Sequence, residues 1–375
     1  MLFAKYNASQ VEELILQADD AKDPHELAAA LHITAENAQE LLGIIEARKK
    51  NKKFPDIRYL LPDDLRFGTH AEVAQWRAKR LACGTLIEVG AGVGMQTIAF
   101  AQTCTKVIAV ELDHRKVAYA RANIAAANIT NVTVVEGDAM KVIDKLPATA
   151  DAIFLDPARP PQEEARDIDA NFSPPIKPFI KEYRAITSAI AIELPPHMKT
   201  LDIEGEREYL SVEGELRRLT LYKGPLANAP RSAVVLPQGT SISGTPAPLP
   251  ESGPLKKYLF EVNEAVVAAG LTHTLLGPTT HVFSTERGVL LTSDTHTPNP
   301  FFRNSFEVLA TTKSDTRTVR EALVKADAGK VVLRVAKEDV GRQRVDRIEG
   351  AAYAAKTVSP QHIEVLGADG QWYPL

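Results

Sequence analysis

Apolar residues recur at helical spacing through the first fifty positions. Val11, Leu14 and Ile15, then Leu27, Ala30 and Leu31, then Ala38, Leu41, Leu42 and Ile45 each mark one helix face. Ser9 and Asp23-Pro24 supply start signals, the proline suiting a first helical turn. From Gly84 the period changes. Thr85–Val89, Val107–Glu111, Val132–Val135, Ala152–Asp156 and Ala189–Leu194 are short β-branched runs, with helical stretches at Gln96–Gln102 and Arg115–Ala126 between them. Strands alternating with helices predict an α/β fold whose parallel, doubly covered sheet needs such near-continuous apolar strands. Tyr209–Val212 and Leu216–Tyr222, joined at Glu213-Gly214-Glu215, predict a terminal antiparallel hairpin.

Residues 225–254 then hold seven prolines, a density that marks a boundary with room for one strand at Ser232–Leu236. Beyond it the pattern is α+β. A helix is expected at Glu261–Ala269, strands near His281–Ser284 and Val289–Ser293, a helix at Thr316–Ala326, and strands at Lys330–Val335 and near His362–Leu366. The chain thus divides into an N-terminal helical unit (1–57), an α/β domain (58–226), a Pro-rich connection (227–254) and a C-terminal α+β domain (255–375).

Composition narrows the class. Of 375 residues, 45% are apolar and 25% charged, the mixture of a folded globular chain. The N-terminus lacks the continuous apolar stretch of a signal peptide, and no run of about 18 apolar residues predicts a membrane span, so a cytoplasmic location is expected. Two cysteines, Cys83 and Cys104, are too few for a disulfide framework or a four-thiolate metal site, and are expected as buried, small apolar residues. His273, His281 and His296 are spaced too irregularly for zinc, so no metal is expected. A net charge of -4 excludes a strongly basic nucleic-acid coat but leaves room for local basic faces. One is the run from Arg48 to Lys53, either a solvated helix end or a phosphate-contacting patch. Another is 312–347, with ten basic and six acidic residues.

The chemistry concentrates in Leu86-Ile87-Glu88-Val89-Gly90-Ala91-Gly92-Val93-Gly94, a strand running into a glycine turn that a helix follows. Gly90 and Gly92 allow a sharp turn and close backbone approach to a ligand. A dinucleotide fingerprint would place glycine where Met95 stands, and a phosphate loop would need Gly-Lys-Ser/Thr. The spacing resembles motif I of class I S-adenosylmethionine (SAM) methyltransferases. Glu88 can face that cofactor's positive charge, and Glu111, ending the second strand, can accept hydrogen bonds from both ribose hydroxyls. The resemblance implies that Leu112 lies beside the cofactor, Asp138 takes the adenine amino group, and the Ala139 N–H binds the same base. The fourth strand leads into Asp156-Pro157-Ala158-Arg159, where amino-group methyltransferases carry Asn/Asp-Pro-Pro-aromatic. Asp156 can hold a target N–H, Pro157 shapes that edge, and Arg159 replaces the aromatic and can meet phosphate. C5-methylation of pyrimidines needs a cysteine nucleophile, and neither cysteine is well placed, which favours nitrogen transfer by in-line displacement.

Four stretches make the resemblance more specific: Tyr59-Leu60-Leu61-Pro62 to Arg80, motif I, Leu155-Asp156-Pro157-Ala158-Arg159 and Val212-Glu213-Gly214-Glu215-Leu216. They are similar to class I methyltransferases with a THUMP-like C-terminal domain, although Pro160 replaces a second arginine and Leu216 a cysteine. That resemblance implies RNA, tRNA foremost, as the partner. It also implies that Phe67, Gly68 and Thr69 pass over the methionine end of the cofactor. Thr69 with Glu72 equally suits a helix capping box. The alternatives are a small-molecule or protein methyltransferase, and a SAM-binding scaffold without turnover. No feature fixes the oligomeric state.

Overall fold

A computed structural model of the chain describes all residues except 19–20, 53, 55, 159–171, 199–200, 286–287, 314–320, 322–323, 326–330, 335–352, 360–361 and 369–375. It forms two compact units, Met1–Gly205 with Thr220–Asn228, and Glu206–Leu219 with Ala229–Leu375.

The first unit opens with helices α1 (Ala8–Gln17), α2 (Pro24–Leu31) and α3 (Ala35–Lys50). Asn7, not Ser9, caps α1, its side chain accepting from the Gln10 N–H at 3.0 Å. Asp23 caps α2, whose first residue is Pro24. α4 (Pro62–Phe67) and α5 (Ala71–Arg80) follow, then β1 (Thr85–Val89), α6 (Met95–Ala101), β2 (Lys106–Glu111), α7 (His114–Ala126), β3 (Val132–Glu136), β4 (Ala152–Leu155), α8 (Ile176–Tyr183) and β5 (Ile190–Leu194). The strand order is β3-β2-β1-β4-β5 and each neighbouring pair is parallel. β1, β4 and β5 are buried along nearly their whole length, which explains their unbroken apolar sequence.

Two cores lie on this sheet. One joins Leu41, Ile44 and Ile45 of α3 with Tyr119 and Ala120 of α7, so the N-terminal helices share a core with the sheet's own helix. The other packs Ala74 and Ala78 of α5 with Phe100, Phe154 and Tyr222.

The second unit begins with β6 (Glu206–Val212) and the first residues of β7 (Glu215–Tyr222). Glu213 and Gly214 join them at φ of 53° and 83°, the two-residue turn whose twist suits a hairpin. β8 (Arg231–Leu236) pairs parallel with β6, and β9 (Thr240–Gly244) antiparallel with β8. The Pro-rich segment therefore holds two strands, the second unmarked in its sequence because Thr240–Gly244 is short and polar.

β10 (Tyr258–Val262), α9 (Glu264–Ala269), β11 (Thr280–Ser284), β12 (Leu290–Ser293), β13 (Phe302–Lys313), β14 (Val331–Arg334), β15 (Tyr353–Ser359) and β16 (His362–Ala368) complete the unit. The second sheet runs β11-β12-β10-β13-β16-β15-β14 and is antiparallel except for β14 with β15. Glu261 and Val262 belong to a strand, not to the expected helix. The helix starts after Asn263, whose side chain accepts from the Ala265 N–H at 3.0 Å. Most of the expected 316–326 helix and most of the basic 312–347 segment lie outside the described residues.

Candidate active site

Parallel strands end at one edge, and this edge gathers the motif residues. After β1 the backbone turns at Gly90, Gly92 and Gly94, all at positive φ (83°, 58° and 92°). A Cβ on Gly90 would collide with the Asp156 carbonyl oxygen, so the turn packs on the end of β4. A Cβ on Gly92 would meet nothing within 4 Å: the backbone there borders open space. That combination is a cradle for a ligand.

Three carboxylates surround it. Glu111, at the end of β2, accepts from the Gly92 N–H at 2.7 Å and the Asp113 N–H at 2.9 Å. A carboxylate has about four acceptor sites, so capacity remains. Asp156 follows β4, its own N–H bound to the Val89 carbonyl at 2.9 Å. Glu88 on β1 is completely buried, and its Oε2 has no hydrogen-bond partner among the described residues. Burial pushes the Glu88 carboxyl up to about 8; the charges of Asp156 and Glu111 push the same way, against Thr97 and Arg77. An acid held this way is protonated at neutral pH until a cation arrives.

Arg77 is the cation beneath this cluster. Only 1% exposed, it donates to Gln96 at 2.9 Å, to Thr220 at 3.2 Å and to the Glu193 carboxylate, and lies 4.6 Å from the Phe154 ring centroid. Nothing in the motif spacing points to Arg77 or Glu193, because only the folded chain brings α5 onto β5.

The end of β3 supplies Asp138 and Ala139. Asp138 accepts from the Met140 N–H at 3.0 Å, with the exposed Lys141 ammonium 3.3 Å away. Leu112, after Glu111, is 63% exposed.

The lead-in reaches the same edge. Asp64 of α4 holds the Leu61 N–H at 2.8 Å and makes a two-pronged ion pair with Arg115 of α7, at 2.8 and 3.2 Å. Gly68 packs closely on the first residue of α6: a Cβ there would strike the Met95 side chain. Phe67 is 57% exposed and Thr69 is buried. The capping-box expectation for Thr69 fails, because α5 begins one residue later and its N-cap is His70, without a side-chain cap bond.

Thus Glu88, Gly90, Gly92, Glu111, Leu112, Asp138, Ala139, Asp156 and Pro157 stand at the ends of four adjacent strands. Pro157 is buried, and Ala158 pairs with Ser173 through two 2.9 Å hydrogen bonds. Arg159 lies outside the described residues. The cysteines are elsewhere: Cys83 precedes β1 and Cys104 follows α6, their sulfurs 3.8 Å apart. Cys104 is buried, but Cys83 is only half-buried, contrary to expectation.

Residues 86–166 match the family described as a methyltransferase domain. An uncharacterized S-adenosylmethionine-dependent methyltransferase of Mycobacterium tuberculosis is 28% identical over 280 residues, covering 72% of this chain and 75% of the relative. A tRNA (guanine-N(7)-)-methyltransferase of Corynebacterium efficiens is 30% identical over 98 residues, 26% of this chain and 36% of that protein. A Porphyromonas gingivalis protein for which methyltransferase activity has been proposed shares the fold, with a TM-score of 0.72 at 18% identity over 97% of this chain and all of that one. The chain carries a class I SAM-dependent methyltransferase domain; it is a methyltransferase and its cofactor is SAM. The residues fit that group: an unpaired buried carboxylate oxygen for positive charge, open backbone at Gly92, and an apolar surface at Leu112. When bound, SAM supplies an electrophilic methyl group.

Proposed function

We propose that this SAM-dependent methyltransferase transfers methyl to a nitrogen of a nucleotide in structured RNA, tRNA foremost. The observation that carries the reading is Asp156-Pro157 at the end of β4, against the Gly90 turn. A carboxylate there can accept a hydrogen bond from a target amino or ring N–H and hold the nitrogen lone pair toward the methyl, so the step is governed by positioning. Glu88, Glu111, Asp138 and Ala139 take the cofactor, with Gly90, Gly92 and Leu112 lining it and Phe67 and Thr69 covering its methionine end. The only cysteines sit at the start of β1 and beyond α6, away from the strand ends, which speaks against a thiol-dependent route. Support for RNA comes from the tRNA methyltransferase relative and from the excess of basic residues in 312–347. In this reading the C-terminal unit is THUMP-like and grips RNA through its phosphates, with Arg159 near the substrate.

The test is incubation of the protein with methyl-labelled SAM and total small RNA, followed by nucleoside mass spectrometry. Label is expected in an N-methylated nucleoside. Label in no RNA pool, with transfer to a small molecule or protein instead, would sink the RNA assignment. Asp156→Ala should abolish turnover while SAM still binds; unchanged turnover would remove Asp156 from the site.

A further inference from the structure

The turn after β3 is held by several hydrogen bonds among the described residues. The Asp138 carbonyl accepts from the Lys141 and Val142 N–H groups at 2.8 and 3.0 Å. In a trans peptide the N–H points opposite the carbonyl, so the Ala139 N–H is turned away from those residues. The next peptide is tied at both ends. Its N–H, from Met140, donates to Asp138 Oδ1 at 3.0 Å, and its carbonyl, from Ala139, accepts from the Tyr183 hydroxyl at 2.8 Å. Ala139 is buried, yet its own N–H donates to no group among the described residues. Buried backbone donors are nearly always paired, so a donor fixed in direction and left open suits a ligand's acceptor.

Among the described residues, Tyr183 is the one side chain from outside the turn that hydrogen-bonds to it. It ends α8, is completely buried, and stacks on Phe179 with centroids 4.0 Å apart and planes 20° apart. Burial, and then the Asp138 charge, raise its pKa, which keeps the hydroxyl protonated and a donor. No motif includes it.

We propose that Tyr183 is a positioning residue for the base of the cofactor. Its hydroxyl fixes the turn that aims the Ala139 N–H at a ring nitrogen while Asp138 takes the neighbouring amino group. Adenine presents that pair, an amino donor beside the N1 acceptor. The proposal rests on the reading that Asp138 and Ala139 receive the adenine.

The experiment uses the full chain and Tyr183→Phe, which keeps the ring packing. Calorimetry measures S-adenosylhomocysteine and its analogue carrying 1-deazaadenine, which lacks N1. Wild type should bind the analogue roughly tenfold more weakly, the loss of one hydrogen bond. Tyr183→Phe should weaken S-adenosylhomocysteine about fivefold, leave the analogue unchanged, and raise the KM for SAM with kcat preserved at saturation. Hydrogen exchange at Met140 should accelerate in the empty variant. Equal weakening of both ligands means a merely structural tyrosine and overturns the proposal; so does no weakening of either. If wild type binds both ligands alike, the adenine assignment itself falls, and the positioning role with it.

Discussion

Glu88 and Asn123 are two polar side chains buried to the same degree in the same unit, at 1% and 0% exposure, and their surroundings treat them oppositely. Asn123, in α7, uses its whole amide. Its Nδ2 donates to the Tyr59 and Val93 carbonyls, both at 2.9 Å, and its Oδ1 accepts from the Arg58 and Tyr59 N–H groups at 3.0 and 2.8 Å. That is the full inventory of a primary amide. Glu88 keeps an oxygen unpaired among the described residues, under like charge from Asp156 and Glu111. Burial alone therefore does not mark function. What separates the two is satisfaction: the amide closes the fold by tying the lead-in to the glycine turn, and the carboxylate waits for a cation.

The largest expected effect breaks the closed member. Asn123→Leu keeps approximate size but strips partners from four backbone groups, of which the Tyr59 N–H, the Tyr59 carbonyl and the Val93 carbonyl are buried. Urea unfolding should show a loss of about 4 kcal/mol, since each orphaned group costs about 1–3 kcal/mol and some recover water. A loss below about 1 kcal/mol would mean that the amide network is incidental. Cofactor affinity at a permissive temperature should change less than stability does.

The open member should behave inversely. Glu88→Gln removes the charge at nearly constant shape. SAM affinity should fall about thirtyfold, as expected for the loss of a buried charge-assisted contact. Stability of the empty protein should move the other way. The folded-state pKa of Glu88, about 8, lies above its ordinary value of 4.5. The native state therefore holds a proton that the unfolded chain has released, and stability is lost as pH rises from about 4.5 through 8. The variant should show a shallower decline across that window and a higher melting temperature than wild type above it. A variant that is less stable at every pH, with SAM affinity intact, would make Glu88 a packing residue.

The same contrast explains what could be read before folding. The strands showed themselves because a doubly covered sheet forces unbroken apolar runs, and Glu88, Glu111 and Asp138 stood out because each stands at or just past the end of such a run. Gly90 and Gly92 were legible through spacing that only a tight turn requires. Asn123 was not, because an asparagine within a helical stretch carries no sign of the four backbone groups it will meet. Arg77 and Tyr183 were hidden likewise: their partners, Glu193 and Ala139, lie 116 and 44 residues away. β9 escaped because its residues alternate between half-buried and exposed rather than apolar and polar. The helix expected from Glu261 began too early because Glu261-Val262 fits a helical period as well as a strand.

The smallest effect sharpens the comparison from the exposed side. Leu112 and Leu16 are both large apolar side chains in solvent, at 63% and 80% exposure. Leu16 lies on α1, within the N-terminal helices, whereas Leu112 follows Glu111 at the strand edge. Serine at either position should leave stability within about 0.5 kcal/mol, because both side chains stay mostly in water on folding. Only Leu112→Ser should weaken S-adenosylhomocysteine, by about fivefold, the effect of uncovering a few tens of Å² of apolar contact at roughly 25 cal/mol per Å². Calorimetry on the two variants decides it. Equal affinities would mean that an exposed leucine at the strand edge is no more a ligand surface than one on an outer helix. Weakening by Leu112→Ser alone would extend to exposed residues the distinction between Glu88 and Asn123: a group left without a partner acquires meaning from where the sheet places it.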